Sequence, residues 1–143
     1  MTKEKTKWSY LAGIFDGEGC INIRSKPRKG VDYRNGKDVV WNRSLMQLCI
    51  ANTKLGLMKW LISNFGGVYY TVRHDSAKNW QDCYIWKPKG RQNMNNFLLG
   101  ILPYLIVKSE QVKLALEYIR LDARGTPEQY KELANKCQLL NHS

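Results

Sequence analysis

Leu11-Ala12-Gly13-Ile14-Phe15-Asp16-Gly17-Glu18-Gly19 is the stretch on which the reading of this chain turns. In a helix, at about 100° per residue, Leu11, Ile14 and Phe15 fall on one side and Gly13 and Gly17 on the other, so one face enters a core and the other carries no side chains. Glycine inside a helix costs roughly 1 kcal/mol against alanine, so two of them four residues apart predict the close approach of another backbone. A second copy of the same helix meets that requirement. Gly19 reads as the helix stop and places Glu18 beside the negative end of the helix dipole, where a carboxylate is unfavourable without a cation. Two helices joined at their glycines bring two Glu18 carboxylates together, and such a pair is either neutralised by a proton or recruits a divalent metal with hard oxygen ligands.

The surrounding composition narrows the function. The 143 residues include 23 Lys and Arg against 12 Asp and Glu, a net charge of +11, with a pI near 9.6. An imbalance of that size attracts a polyanion, and nucleic acid is the expected one. A membrane span is not expected, because the longest apolar run, residues 98–107, is interrupted by Gly100 and Pro103. Cys20, Cys49, Cys83 and Cys137 form no C-x-x-C pair and have only His74 and His142 as possible co-ligands, which argues against zinc and against a disulfide scaffold. They read as reduced thiols of a cytosol-like compartment. Residues 1–7 have no apolar segment and give no targeting signal, so the expected setting is a bacterial or phage-infected cell, or an organelle that encodes the protein. The length predicts one domain spanning residues 1–143, and no internal repeat is found.

Past Gly19, residues 20–26 alternate with period two, with Ile21 and Ile23 on one side and Asn22, Arg24 and Lys26 on the other. Residues 27–38 read as a polar loop carrying Arg28, Lys29, Tyr33, Arg34 and Lys37. A second strand over 39–51 points Met46, Leu48 and Ile50 inward and Arg43, Gln47 and Cys49 outward. Asn52 or Thr53 then caps a helix with Leu57, Met58, Leu61, Ile62 and Phe65 on its buried stripe, ended by Gly66-Gly67. A second hairpin follows, with strands over 68–74 and 80–87 and a turn at 75–79. Its outward residues are predicted to be Tyr69, Thr71, Arg73, Gln81, Cys83 and Ile85, with Val68, Tyr70, Val72, Tyr84 and Trp86 toward the core. Helices are expected over 93–102 and 109–120, and a third begins at the capping box Thr126-Pro127-Glu128-Gln129.

The order is therefore αββαββα with a C-terminal helical extension: an α+β domain whose two hairpins join in a four-stranded antiparallel sheet, covered on one face and open, polar and basic on the other. The opening stretch resembles the LAGLIDADG motif. Leu11, Ala12, Gly13, Asp16 and Gly19 are identical to it, Ile14 and Phe15 stand for its aliphatics, and Gly17 and Glu18 replace Ala and Asp. The resemblance is to the LAGLIDADG homing endonucleases and extends, through the element order, over nearly the whole chain. It implies a saddle-shaped sheet on double-stranded DNA and, because only one motif is present, a homodimer whose interface contains Gly13, Gly17, Ala12 and Asp16. The implied activity is a double-strand break at a long target site by metal-dependent phosphodiester hydrolysis, in a protein encoded within an intron or other mobile element.

In that reading Glu18 and the backbone carbonyl of Gly17 hold Mg²⁺ or Mn²⁺. Pro103-Tyr104-Leu105-Ile106-Val107-Lys108 is similar to the family's Pro-aromatic-Leu-x-x-Lys element, which makes Lys108 the implied catalytic lysine. Asn52 stands where the family often has a solvent-ordering Gln, so it either serves catalysis or only caps the following helix. The expected DNA-reading set is Asn22, Arg24, Lys26, Arg43, Gln47, Tyr69, Thr71 and Arg73, since Arg and Lys suit guanine and Asn and Gln suit adenine. Arg28, Tyr33 and Arg34 of the loop contact the DNA backbone. The second reading is a maturase or regulator of the same fold that binds intron RNA or DNA without cutting it.

Overall fold

The computed structural model describes residues 3–73 and 82–142, the side chains of Pro27, Trp41, Asn42 and Arg43 excepted. Along the chain it contains α1 (Lys3–Glu18), β1 (Gly19–Val31), β2 (Asp38–Asn52), α2 (Leu55–Phe65), β3 (Val68–Val72), β4 (Cys83–Lys87), α3 (Arg91–Ile101), a 3₁₀ turn (Leu102–Tyr104), α4 (Ser109–Leu121) and α5 (Pro127–Asn141). The four strands form one antiparallel sheet in the order β1-β2-β4-β3. The αββαββα order and the helical extension are those that the sequence predicts.

Helices cover one face of the sheet. Ile21, Ile23, Leu48, Ile50 and Trp86 project from the strands into a core with Leu11 and Phe15 of α1, Met58 and Leu61 of α2, and Phe97, Leu98 and Ile101 of α3, all buried. Full burial of one such side chain contributes about 1.5–3 kcal/mol. Trp86 also satisfies its one polar atom, its Nε1 donating to the carbonyl of Gly66 at 2.8 Å. The rings of Phe15 and Trp86 both lie against Phe97, with centroids 5.7 and 5.3 Å away.

Helix α1 begins at Lys3, two turns before the motif, because its first half has a partner. Trp8 packs on Phe65 and Tyr10 on Trp60 of α2, at 4.9 and 5.1 Å between ring centroids. The helix ends at Glu18 and β1 starts at the next residue. Gly19 is required there by space, since a Cβ at this position would collide with the ring of Phe15.

The segment read as a loop, residues 27–38, is mostly strand. Pairing continues from Pro27↔Asn42 to Val31↔Asp38, and the turn is confined to residues 32–37. Asp32 closes it, with its amide donating to the Lys37 carbonyl at 2.9 Å and its Oδ1 accepting from the Arg34 amide at 2.9 Å, while Gly36 takes φ +68°. Proline is tolerated because β1 is an edge strand, where a missing N–H need not face a neighbour. The proposed turn at 75–79 lies outside the described residues, as do parts of the two strands predicted beside it.

At α5 the capping box forms as read. The Thr126 hydroxyl accepts the Gln129 amide at 3.2 Å, and Gln129 Oε1 accepts the Thr126 amide at 2.8 Å. The helix packs along the free edge of β1, where Asn141 Nδ2 donates to the Ile21 carbonyl at 3.0 Å and the buried Cys137 thiol donates to the same oxygen at 3.6 Å. An edge carbonyl that would otherwise be exposed is thereby satisfied.

Candidate nucleic-acid interface and motif helix

The bare face of α1 is open. A Cβ built at Gly13 or Gly17 meets nothing within 4 Å, and the two glycines line a cleft of about 860 Å³ with Tyr10, Ile14, Glu18, Asn52, Lys54, Leu57 and Trp60. Two other residues expected at an interface between copies are placed elsewhere. Ala12 is fully buried in the chain's own core. Asp16 turns to the opposite side, where its carboxylate accepts the backbone amides of Ile106 at 2.7 Å, Val107 at 3.2 Å and Lys108 at 3.0 Å. Three amides fanned at one carboxylate tie the segment that leads into α4 to the motif helix, while α4 itself has no side-chain cap.

Lys108 completes the arrangement from the other direction. Its ammonium donates to the carbonyl of Gly19 at 2.6 Å and of Phe15 at 3.3 Å, and lies 5.9 Å from the Phe15 ring centroid. The Phe15 carbonyl belongs to the last turn of α1 and Gly19 directly follows that helix, so the ammonium sits at the negative end of the dipole, roughly half an elementary charge, where the carboxylate at position 18 is unfavourable. Glu18 is exposed and, among the described residues, takes part in no ion pair. The cation that its position calls for is thus bound to the helix end, not to the carboxylate. No three Asp, Glu, His or Cys side chains converge as a metal-holding group among the described residues.

Asn52 ends β2 on the helix side of the sheet, opposite Tyr84. Its Oδ1 accepts the Lys54 amide at 2.8 Å, while α2 itself has no side-chain cap. Asn52 organises the turn into α2 and also lines the cleft that contains Glu18.

The face of the sheet away from the core carries most of the residues that sequence alternation selected. Asn22 is paired with Gln47, Arg24 with Leu45 and Lys26 with Arg43, and Arg24, Lys26, Arg28 and Gln47 are exposed. The side chain of Arg43 lies outside the described set. Tyr33 and Arg34 are exposed in the hairpin turn.

In β3 the alternation is opposite to that expected. Tyr69 pairs with Trp86 and Thr71 with Tyr84, and directly opposed residues share a face, so Tyr69 and Thr71 belong to the helix side. The Tyr69 and Tyr84 rings are 6.1 Å apart. Val68, Tyr70 and Val72 take the open face, where Lys87 Nζ lies 5.4 Å from the Tyr70 ring centroid. Arg73 is exposed one residue beyond the strand. Every residue of this edge strand is exposed, so no burial pattern distinguishes its two sides.

One flank of the open face was not anticipated. A cleft of about 520 Å³ runs between β1 and α5, lined by Asn22, Arg24 and Lys26 on the strand and by Lys131, Gln138 and His142 on the helix. The available signal was the set of polar residues along α5, Lys131, Gln138 and His142 among them. No helix among the described residues is long and apolar enough to cross a membrane.

No protein-family model matches the chain, and no curated protein matches it. Solved structures do. A homing endonuclease I-CvuI complex with its DNA target and Ca is similar over 96% of this chain and 83% of that one, with 26% identity and a TM-score of 0.68. I-CvuI with the I-CreI target and Mg, in which the DNA is not cleaved, gives 24% identity and a TM-score of 0.67 over the same shares. The archaeal intron-encoded homing endonuclease I-Vdi141I complexed with DNA gives 17% identity and 0.69 over 98% and 85%. The structural neighbours of this chain are thus LAGLIDADG homing endonucleases, and its fold is theirs.

Proposed function

We propose that this protein is a site-specific DNA endonuclease that acts as a homodimer and makes a double-strand break at a long target by metal-dependent phosphodiester hydrolysis. The observation that carries the proposal is the open Gly13/Gly17 face with Glu18 at its end. In one chain this face is an unfilled cleft with a single carboxylate, and a second copy packed on it would fill the cleft and supply a second Glu18.

The donor set fits a hard divalent cation only as half of a shared site: an exposed carboxylate from each copy, with the Gly17 carbonyl as a further oxygen. When bound, Mg²⁺ or Mn²⁺ would neutralise charge gained by the phosphate. The chain's own residues do the rest. Lys108 clamps the carbonyls that end α1 and so fixes the backbone from which Glu18 projects. Asn22, Arg24, Lys26 and Gln47 offer donors and acceptors to base edges in a major groove, and Arg28, Tyr33 and Arg34 extend along the hairpin toward flanking phosphates. The net charge of +11 supplies the sequence-independent part of the binding.

The same fold used for binding intron RNA or DNA without cleavage is the second reading. It is favoured by the engagement of both the Lys108 ammonium and the Asn52 oxygen with backbone partners. Incubation of the purified protein with Mg²⁺ and a plasmid library of candidate insertion sites separates the two. Linear product with a recurrent cut site supports the endonuclease; a gel shift with no cleavage in Mg²⁺ or Mn²⁺ supports the binder and rejects the hydrolytic reading.

A further inference from the structure

Cys20 and Cys49 are 29 positions apart in the sequence and directly opposite one another across β1 and β2. Ile21 next to Cys20, and Leu48 and Ile50 on either side of Cys49, enter the core, so both thiols lie on the open face. The separation of the strands there follows from the backbone. The Ile21 carbonyl turns outward to Asn141 and Cys137, which makes Ile21↔Leu48 a non-hydrogen-bonded pair and the adjacent Cys20↔Cys49 a hydrogen-bonded one. The Cα atoms of such a pair are about 5.5 Å apart, inside the range that disulfides span, and the strands need to close by only about 1 Å between Cβ atoms for the bond to form.

The two thiols differ in access. Cys20 is exposed, whereas Cys49 is half-buried and close enough to be influenced by its neighbour. Burial, and then the Cys20 thiol, push the Cys49 thiol up, with Lys87 opposing. Because Cys20 is the exposed member of the pair, an oxidant from solution reaches it first.

We propose that Cys20 and Cys49 form a dithiol modification site on the open face of the sheet, specific for two-electron thiol oxidants of the peroxide class and closing to a cross-strand disulfide. In the first step the Cys20 sulfur takes one oxygen from hydrogen peroxide, giving a sulfenic acid and one water. In the second, the Cys49 sulfur attacks the Cys20 sulfur, the S–O bond breaks, and the hydroxyl leaves with the Cys49 proton as a second water. The bond staples β1 to β2 two residues after Glu18 and three before Asn52, between two parts of the cleft described above. An exposed disulfide of this kind is readily reduced, so the modification is reversible.

The test is peptide mapping, without reduction, of the full-length protein after treatment with hydrogen peroxide near stoichiometric amounts. The expected product is a Cys20–Cys49 linked peptide pair as the main oxidised species, lost on treatment with dithiothreitol. Cys20→Ser and Cys49→Ser, checked for folding by circular dichroism, should each abolish the linked pair, while Cys83→Ser should retain it. A dominant link through Cys83 or between chains, or a Cys20 sulfinic acid with Cys49 left free, would overturn the assignment. Neither DNA nor nuclease activity enters this readout, so its result is independent of the proposed function.

Discussion

The Asp16 carboxylate accepts the backbone amide of Lys108 at 3.0 Å, while the ammonium of that same lysine donates back across the gap to the Gly19 and Phe15 carbonyls at 2.6 and 3.3 Å. Motif helix and lysine segment thus hold each other at two points, 92 residues apart in sequence for the first. Lys108 is a structural cation of α1 in the free protein, whatever it does on DNA. Lys108→Met should therefore lower stability by about 1–2 kcal/mol in the absence of any nucleic acid, through loss of the charge at the helix C-terminus. Asp16→Ala should cost about as much by leaving the three amides without their carboxylate. Urea denaturation measures both, and parent-like midpoints would show that the clasp contributes nothing.

Glu18→Gln should eliminate cleavage, by at least about 10³-fold, with specific DNA binding within about threefold of the parent, because it removes the negative charge that would hold the cation and leaves the sheet untouched. Single-turnover cleavage and a gel-shift titration on one target provide the comparison. Cutting near the parent rate would exclude Glu18 as the principal metal ligand.

The register of β3 makes a prediction about recognition that differs from the one sequence alternation makes. Tyr70→Ala should weaken specific target binding about tenfold, near 1.4 kcal/mol, and alter the bases selected. Thr71→Ala, on the helix side, should stay within about twofold. Selection of bound sites from a random library distinguishes them, and the reverse ranking would mean that β3 presents its other face to DNA.

Gly13→Leu should convert a dimer into monomers, since a leucine there fills the space that a second helix would need but meets no atom of its own chain. Sedimentation of parent and variant gives the answer directly. Because the site is open within one chain, the variant should keep the parent's circular dichroism spectrum as a folded monomer, and an unchanged dimer would remove α1 as the interface.

Some of this protein was decided by its sequence because the causes were local. The bare face of α1 follows from two glycines at helical spacing, the inward Ile21 and Ile23 from period-two alternation, and the start of α5 from a capping box whose first and last residues, Thr126 and Gln129, satisfy one another. Charge is also a property of the sequence, and it alone called for a polyanion. The remaining features depended on partners far along the chain. Val68 to Val72 are all good strand formers and all exposed, so only pairing with β4 could assign Tyr70 and Tyr69 to opposite faces. Pro27 stays within a strand because β1 happens to be an edge, a fact of sheet order that residues 27–38 do not contain. Asp16 and Ala12 sit in the same motif as the glycines, yet the tertiary structure gave one to the Lys108 segment and the other to the core. Cys20 and Cys49 became neighbours for the same reason: a sheet brings together residues that its register opposes, and register is set by the packing of one whole face.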